Sequence, residues 1–266
     1  MANRTINQLR APSAALVLPV LAGIAWMAWV GAPTAWPAIN AAALLVALAC
    51  ARWVPLPRKQ SGQLFLAGAL VALMALTALA GVELDGVRRW IALGPVRLHT
   101  GYLVLPLLVV LTSRLPSRPA ALLLGAALLA TLAQPDRAAC YALAAAVCIH
   151  ALHRRDWPAI GALAVAIASC IAVLTRADPL QPVRFVEGLQ ADALAANPLF
   201  GALLTLATLA PLALLRGGDR PAQPLAAFLL IAGLCAFAGP YPSILIGYGA
   251  APILGFGLAL AALRAR

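Results

Sequence analysis

Ten apolar runs, parted by short connections rich in arginine, proline and glycine, constrain this chain more than any other feature. They cover roughly residues 12–31, 37–54, 63–82, 98–113, 118–134, 138–153, 157–175, 196–215, 222–239 and 243–263. A helix needs about 20 apolar residues to cross a bilayer, with a range of about 17–25. Runs this long and this many do not fit inside a water-soluble core. The chain is 64% hydrophobic and 10% charged, against about one quarter charged in soluble domains. The fold class predicted is all-α: a polytopic membrane helix bundle of about ten transmembrane helices, one integral membrane domain over residues 1–266. The spans are rich in Ala and Gly, and small residues let helices approach closely in lipid. The fourth and sixth runs are the shortest. The N-terminal MANRTINQLR is basic and no small-residue cleavage site follows the first run, which predicts a retained first helix.

Charge sets the orientation. With the N-terminus inside, the inner segments hold 13 of the 19 basic residues, among them Arg52, Arg58, Arg114, Arg154, Arg220 and Arg264. The outer segments hold 6: Arg88, Arg89, Arg97, Arg137, Arg176 and Arg184. The positive-inside rule therefore predicts both termini in the cytoplasm. Acids run the other way. Glu83, Asp85, Asp136, Asp178, Glu187 and Asp192 lie outside, and Asp156 and Asp219 inside. Acids contribute little to topology, so their gathering marks the outer face as the place where polar chemistry collects. The longest polar connection, about residues 176–196, is also outer.

The net charge of +11 does not indicate nucleic acid, because the basic residues stand singly or in pairs beside apolar runs and form no basic face. Cys50, Cys140, Cys148, Cys170 and Cys235 fall in or beside apolar runs and read as small buried hydrophobes. There is no HExxH and no Asp/His cluster with metal-ligand spacing. His150 and His153 sit near the inner end of the sixth run, beside Arg154 and Arg155, and read as boundary residues. The spans hold almost no charge, which weighs against a transporter or flippase, where intramembrane ionisable residues mark the pathway.

One outer connection departs from the rest: DGVRRWIALGPVRLHTG, Asp85 to Gly101. Trp90 reads as an interfacial anchor, with Arg88, Arg89 and Arg97 snorkelling to headgroups. Three outer arginines also oppose the charge bias, and a phosphate ligand would favour them, because the guanidinium fork donates paired hydrogen bonds. His99 reads as an interfacial residue or as a pH-sensitive contact.

GVRRWIALGPVRL resembles the signature loop of the SEDS family, the shape, elongation, division and sporulation proteins of the RodA and FtsW type. Gly86, Arg89, Trp90, Ile91, Leu93 and Gly94 match its pattern. A Gln-Pro-Asp signature is kept as Gln134, Pro135 and Asp136 and then departs. A third, before the last helix, keeps Tyr248 and Gly249 in GYGAAP. The three stand in family order across residues 80–260. Other family positions are altered: an expected Glu is Tyr102 and the Lys three residues on is Leu105. Loss of both partners of a buried pair can be nearly neutral, whereas loss of one strands a charge.

The resemblance implies a glycosyltransferase that polymerises peptidoglycan from lipid II on the outer face of the bacterial cytoplasmic (inner) membrane, beside a transpeptidase (penicillin-binding protein) partner. It implies an outer-loop carboxylate as general base. Aligning LQPVRFVEGLQADALAANPLFG through Gly201 puts Glu187 at that position, with Asp192 as the alternative. Arg89 and Arg184, with Arg88 and Arg97 in reserve, are implied to hold the pyrophosphate, and Asp136 and Tyr248 complete the substrate-binding set. No cofactor is expected of the protein itself, though a divalent cation arriving with the substrate pyrophosphate stays open. The short outer loop and altered motifs leave a second reading, a non-catalytic membrane scaffold or lipid-binding partner of a transpeptidase.

Overall fold

The structure is a computed structural model that describes residues 2–94, 96–176, 178–215 and 220–265, with side chains of residues 1–12 and 213–214 left aside. Arg216, Asp219 and Arg266, and the side chains of Arg4 and Arg10, thus fall outside the description. In order come α1 (Ala2–Trp29), α2 (Ala35–Trp53), α3 (Gln60–Ala80), β1 (Val82–Leu84), β2 (Val87–Leu93), β3 (Val96–His99), α4 (Thr100–Thr112), α5 (Ser117–Ala133) and α6 (Arg137–Arg154). Then follow α7 (Trp157–Leu174), α8 (Leu189–Ala196), α9 (Pro198–Leu215), α10 (Ala222–Ala238) and α11 (Ala250–Arg264). The ten long helices fall on the ten apolar runs. The eight-residue α8 lies in the long polar connection.

α2, α3 and α7 are long and apolar enough to cross a membrane, and α4, α5, α10 and α11 are shorter apolar helices. Large apolar side chains point outward on several of them: Phe65, Leu45, Leu79, Leu122, Leu199 and Leu206 are 63% to 79% exposed. In water such a surface is a liability, and in lipid it is matched to its solvent. The molecule is an integral membrane protein.

α4 is the axis. Twelve of its residues are buried, from Thr100 to Thr112 with Leu103 apart, as expected of a helix that is apolar all round. It packs against α11, α3, α5 and α10. At about 20 Å it is short for a span; β3 leads directly into it. Gly255 of α11 lets the two backbones meet, since a Cβ there would run into the carbonyl oxygens of Tyr102 and Leu103.

The helix connections collect at two ends. At one, the Arg264 guanidinium reaches the Arg52 carbonyl, Arg114 donates to the Ala265 carbonyl (2.6 Å) and Ser117 binds Asp156 (2.5 Å). At the other, residues 82–99, 134–137, 176–197 and 239–249 meet.

Candidate active site

The stretch read as a charged connection forms, with Val82–Leu84 before it, a three-stranded antiparallel sheet, β1-β2-β3. The two central residues of the first hairpin, Asp85 and Gly86, have φ of 47° and 80°, the left-handed geometry that a two-residue hairpin needs. The strand period then divides the arginines. Arg89 and Val87 face the bundle and are buried, while Arg88 and Trp90 face away. Trp90 stands opposite His99 across the ladder, edge-on at 5.6 Å, which makes it part of the cleft wall as well as a membrane-surface residue.

Arg89 is committed to the fold. Its Nε donates to the Gln134 carbonyl (2.8 Å), and Nη2 donates to the Pro135 carbonyl and to Asp178 Oδ2 (3.0 Å). It thereby ties the sheet to the end of α5 and to the long connection. Arg88 pairs with Glu83 at 2.7 Å on the exposed side, and its Nη1 reaches the Leu79 carbonyl. Asp136 is buried and caps α6, its Oδ1 accepting from the Ala139 N–H (3.1 Å). Its Oδ2 lies 3.2 Å from His99 Nε2. His99 Nδ1 accepts from the Tyr102 N–H (3.4 Å), which turns Nε2 toward the carboxylate. Burial alone would raise the Asp136 pKa, but His99 and then Arg89 hold it below the ordinary value. His99 is therefore a partly buried neighbour of Asp136. The contact spans two segments that no local pattern connects.

Glu187 lies in the 176–197 connection, just before α8. Phe185 and Gly188 flank it in the left-handed region (φ 68° and 71°), and the backbone there is stitched to the segment before α11. Phe185 and Val186 carbonyls accept from the Tyr248 (2.6 Å) and Ser243 (2.8 Å) N–H groups, and Glu187 pairs with Pro242. Ser243 donates to Gln190 Oε1 (2.8 Å). Asn40 of α2 closes the far side, donating to the Gly247 carbonyl (2.8 Å) and accepting from Gly249 N–H (3.0 Å).

These elements enclose a cavity of about 360 Å³ whose walls include Trp90, Arg97, His99, Tyr102, Glu187 and Tyr248. A smaller hollow of about 50 Å³ shares Trp90, His99 and Glu187 with it and adds Arg89, Asp136 and Asp178. The Glu187 carboxyl is half-buried, and its Oε2 accepts from the Val183 N–H (2.7 Å). Burial, aided by Asp178, holds its pKa above the ordinary value against the pull of that N–H. Tyr248 stacks on Trp36 at 4.5 Å.

The predicted residues therefore divide. Glu187, Arg97 and Tyr248 line the main cavity, with Arg89 and Asp136 behind it. Arg184 and Asp192 share another cavity, with Phe185 and Trp26, where the Arg184 guanidinium lies over the Phe185 ring at 4.8 Å. Arg88 lines neither. Sequence reasoning passed over Asn40, Asp178 and Gln190. A lone Asn in an apolar run was the available signal for Asn40. Asp178 was read only as one of the outer acids, and Gln190 carried no signal.

A helical membrane bundle with a cleft at one end, holding a half-buried carboxylate, defines the class of protein. The particular fold is that of RodA. The rod shape determining protein RodA of Thermus thermophilus is 19% identical, covers 94% of each chain and has a TM-score of 0.59; an aspartate-to-alanine mutant of it reaches 0.62 over 97% of this chain and 96% of that one. A chain from a peptidoglycan synthase complex that coordinates polymerization and crosslinking is 22% identical, with a TM-score of 0.58 over 94% and 96%. No protein-family model matches the chain, and no curated protein sequence does. The SEDS resemblance is thus borne out at the level of the fold.

Proposed function

We propose that this protein is a SEDS-type glycosyltransferase of the bacterial inner membrane, using a polyprenyl-pyrophosphate-linked sugar of the lipid II type. Glu187 removes the proton from the acceptor sugar's 4-hydroxyl, and that oxygen attacks the donor anomeric carbon. The bond from that carbon to the pyrophosphate oxygen breaks, and polyprenyl pyrophosphate leaves with the electron pair. Inversion is what the resemblance implies. The observation that carries the reading is the half-buried Glu187 carboxyl lining a cavity with Arg97. Oε2 accepts from the Val183 N–H, which fixes the carboxyl at the cavity wall. A raised pKa suits a general base, because it brings proton affinity closer to working pH. Arg97, exposed and without a hydrogen-bond partner among the described residues, is the cation placed to meet the pyrophosphate, and a divalent cation would arrive as part of that substrate. Trp90 and Tyr248 offer apolar faces to the sugars. The RodA-like chain in a peptidoglycan synthase complex supports a transpeptidase partner. Purified protein with labelled lipid II is the direct test. Wild type makes polymer and Glu187→Ala makes none; normal polymer from Glu187→Ala overturns the assignment.

One observation favours a second reading, a non-catalytic scaffold: Arg89 spends its guanidinium on the fold and Arg184 lines a different cavity from Glu187. On that reading neither wild type nor Glu187→Ala makes polymer, and both support cell-wall synthesis equally.

A further inference from the structure

The end of the bundle opposite the cleft holds a second polar cavity, of about 180 Å³, lined by Ser113, His150, His153, Arg154 and Arg220. Three separate parts of the chain build it: the α4–α5 connection, the end of α6 and the start of α10. Among the described residues the lining carries two histidines and two arginines and no carboxylate. His150 is 3% exposed, and its Nε2 is buried without a hydrogen-bond partner. Leaving a buried polar atom unpaired is costly, so a ligand that accepts its N–H would be favoured.

The described neighbours do not supply that acceptor. Arg154 Nη2 donates to the Ser113 (3.1 Å) and Leu115 (2.5 Å) carbonyls, and its other nitrogens remain. His153 Nε2 meets Gln223 Oε1 at 2.8 Å. Asp156, the nearby acid, caps α7 and is held by Ser117 (2.5 Å) and the Ala159 N–H (3.1 Å). Arg220 is exposed and has no ion-pair partner among the described residues. Donors and positive charge thus converge on one hollow. An oxyanion with several acceptor oxygens matches it, and the arginine fork prefers phosphate geometry. The positive-inside rule assigns this end to the cytoplasm, where the leaflet carries anionic lipid and basic pockets between spans take phospholipid headgroups.

We infer that this cavity is a phosphate-binding site, separate from the cleft, that takes a phospholipid headgroup or free phosphate. Arg220 and Arg154 neutralise the charge, and His150 Nε2 donates a hydrogen bond. The inference stands independently of the glycosyltransferase reading.

The test uses the full purified chain as wild type, Arg220→Gln, His150→Gln and Arg58→Gln, the last at the same end but outside the cavity. Thermal unfolding is followed against inorganic phosphate in detergent, and in nanodiscs of phosphatidylglycerol against phosphatidylcholine. Ligand that binds only the folded state raises the midpoint. Wild type gains stability with phosphate or with phosphatidylglycerol. Arg220→Gln weakens that gain roughly tenfold in apparent affinity, the scale of one charge-assisted hydrogen bond, and Arg58→Gln leaves it intact. A response to phosphate identifies free phosphate as sufficient; a response to phosphatidylglycerol alone identifies the headgroup. No response to either probe overturns the inference, and so does equal weakening by Arg58→Gln and Arg220→Gln, which marks general surface charge. Arg220 is exposed, so its variant decides the matter even if His150→Gln fails to fold.

Discussion

Glu187 owes its chemistry to its position more than to its type. A solvated glutamate titrates near 4.3, but burial and Asp178 raise this one. A general base works only when ionised, so polymerisation falls as pH drops through that raised value. The acid limb of the pH–rate profile is expected above the ordinary carboxylate range; a limb at or below it removes Glu187 from the role. Glu187→Gln keeps the shape and loses the base, with an expected rate loss of about 10²–10⁴-fold. Arg97→Ala is expected to raise KM for the lipid-linked donor while unfolding at an unchanged temperature, since the side chain is exposed. His99 and Arg88 give a contrast. His99→Leu strands the buried Asp136 carboxylate, and removal of one partner of a buried pair costs about 3–5 kcal/mol. Arg88→Leu breaks an exposed pair with Glu83, worth about 0–1 kcal/mol. Denaturation of the two variants in one detergent measures the difference.

At the scale of elements, the cleft depends on joints that are polar, buried and few. Asn40 is the clearest. It satisfies a carbonyl and an N–H of the 247–249 turn from a helix more than 200 positions away. Asn40→Leu leaves both backbone groups unpaired, at about 1–3 kcal/mol each, and is expected to lower stability and donor binding together. The α4–α11 contact is the apolar counterpart. Gly255→Leu forces side-chain atoms against the Tyr102 and Leu103 carbonyls and is expected to cost at least the roughly 1–3 kcal/mol of ordinary overpacking, read as a lower unfolding midpoint. The sheet was legible and was passed over. Asp85–Gly86 between VEL and VRRWIAL is a strong hairpin signal, but arginines beside membrane runs read more readily as lipid anchors. The period-2 alternation of β2 is what buries Arg89 and leaves Arg88 exposed.

Across the whole molecule, the two ends separate two kinds of polar site, the cleft at one and the basic cavity at the other. A topology measurement ties them to the two sides of the membrane. In a background without the five native cysteines, Arg97→Cys is expected to react with an impermeant maleimide on intact cells, and Arg220→Cys only after permeabilisation. The reverse pattern would invert the orientation. The residues alone determined the bundle, its ten long helices and the end where the polar residues gather, because hydropathy is a local property that each segment carries by itself. Three short motifs also named the right fold: Gln134, Pro135 and Asp136 lead into α6, Tyr248 and Gly249 lead into α11, and the first motif forms β2 and its turns. Tertiary structure decided which arginines are free. Arg89 is bound by Gln134, Pro135 and Asp178, Arg184 is turned with Phe185 toward another cavity, and Arg97 lines the main cavity beside Glu187 while Arg89 reaches only the smaller hollow behind it. An ion pair or a hydrogen bond needs both partners within about 3 Å, and which distant segments come that close is settled only when the helices pack.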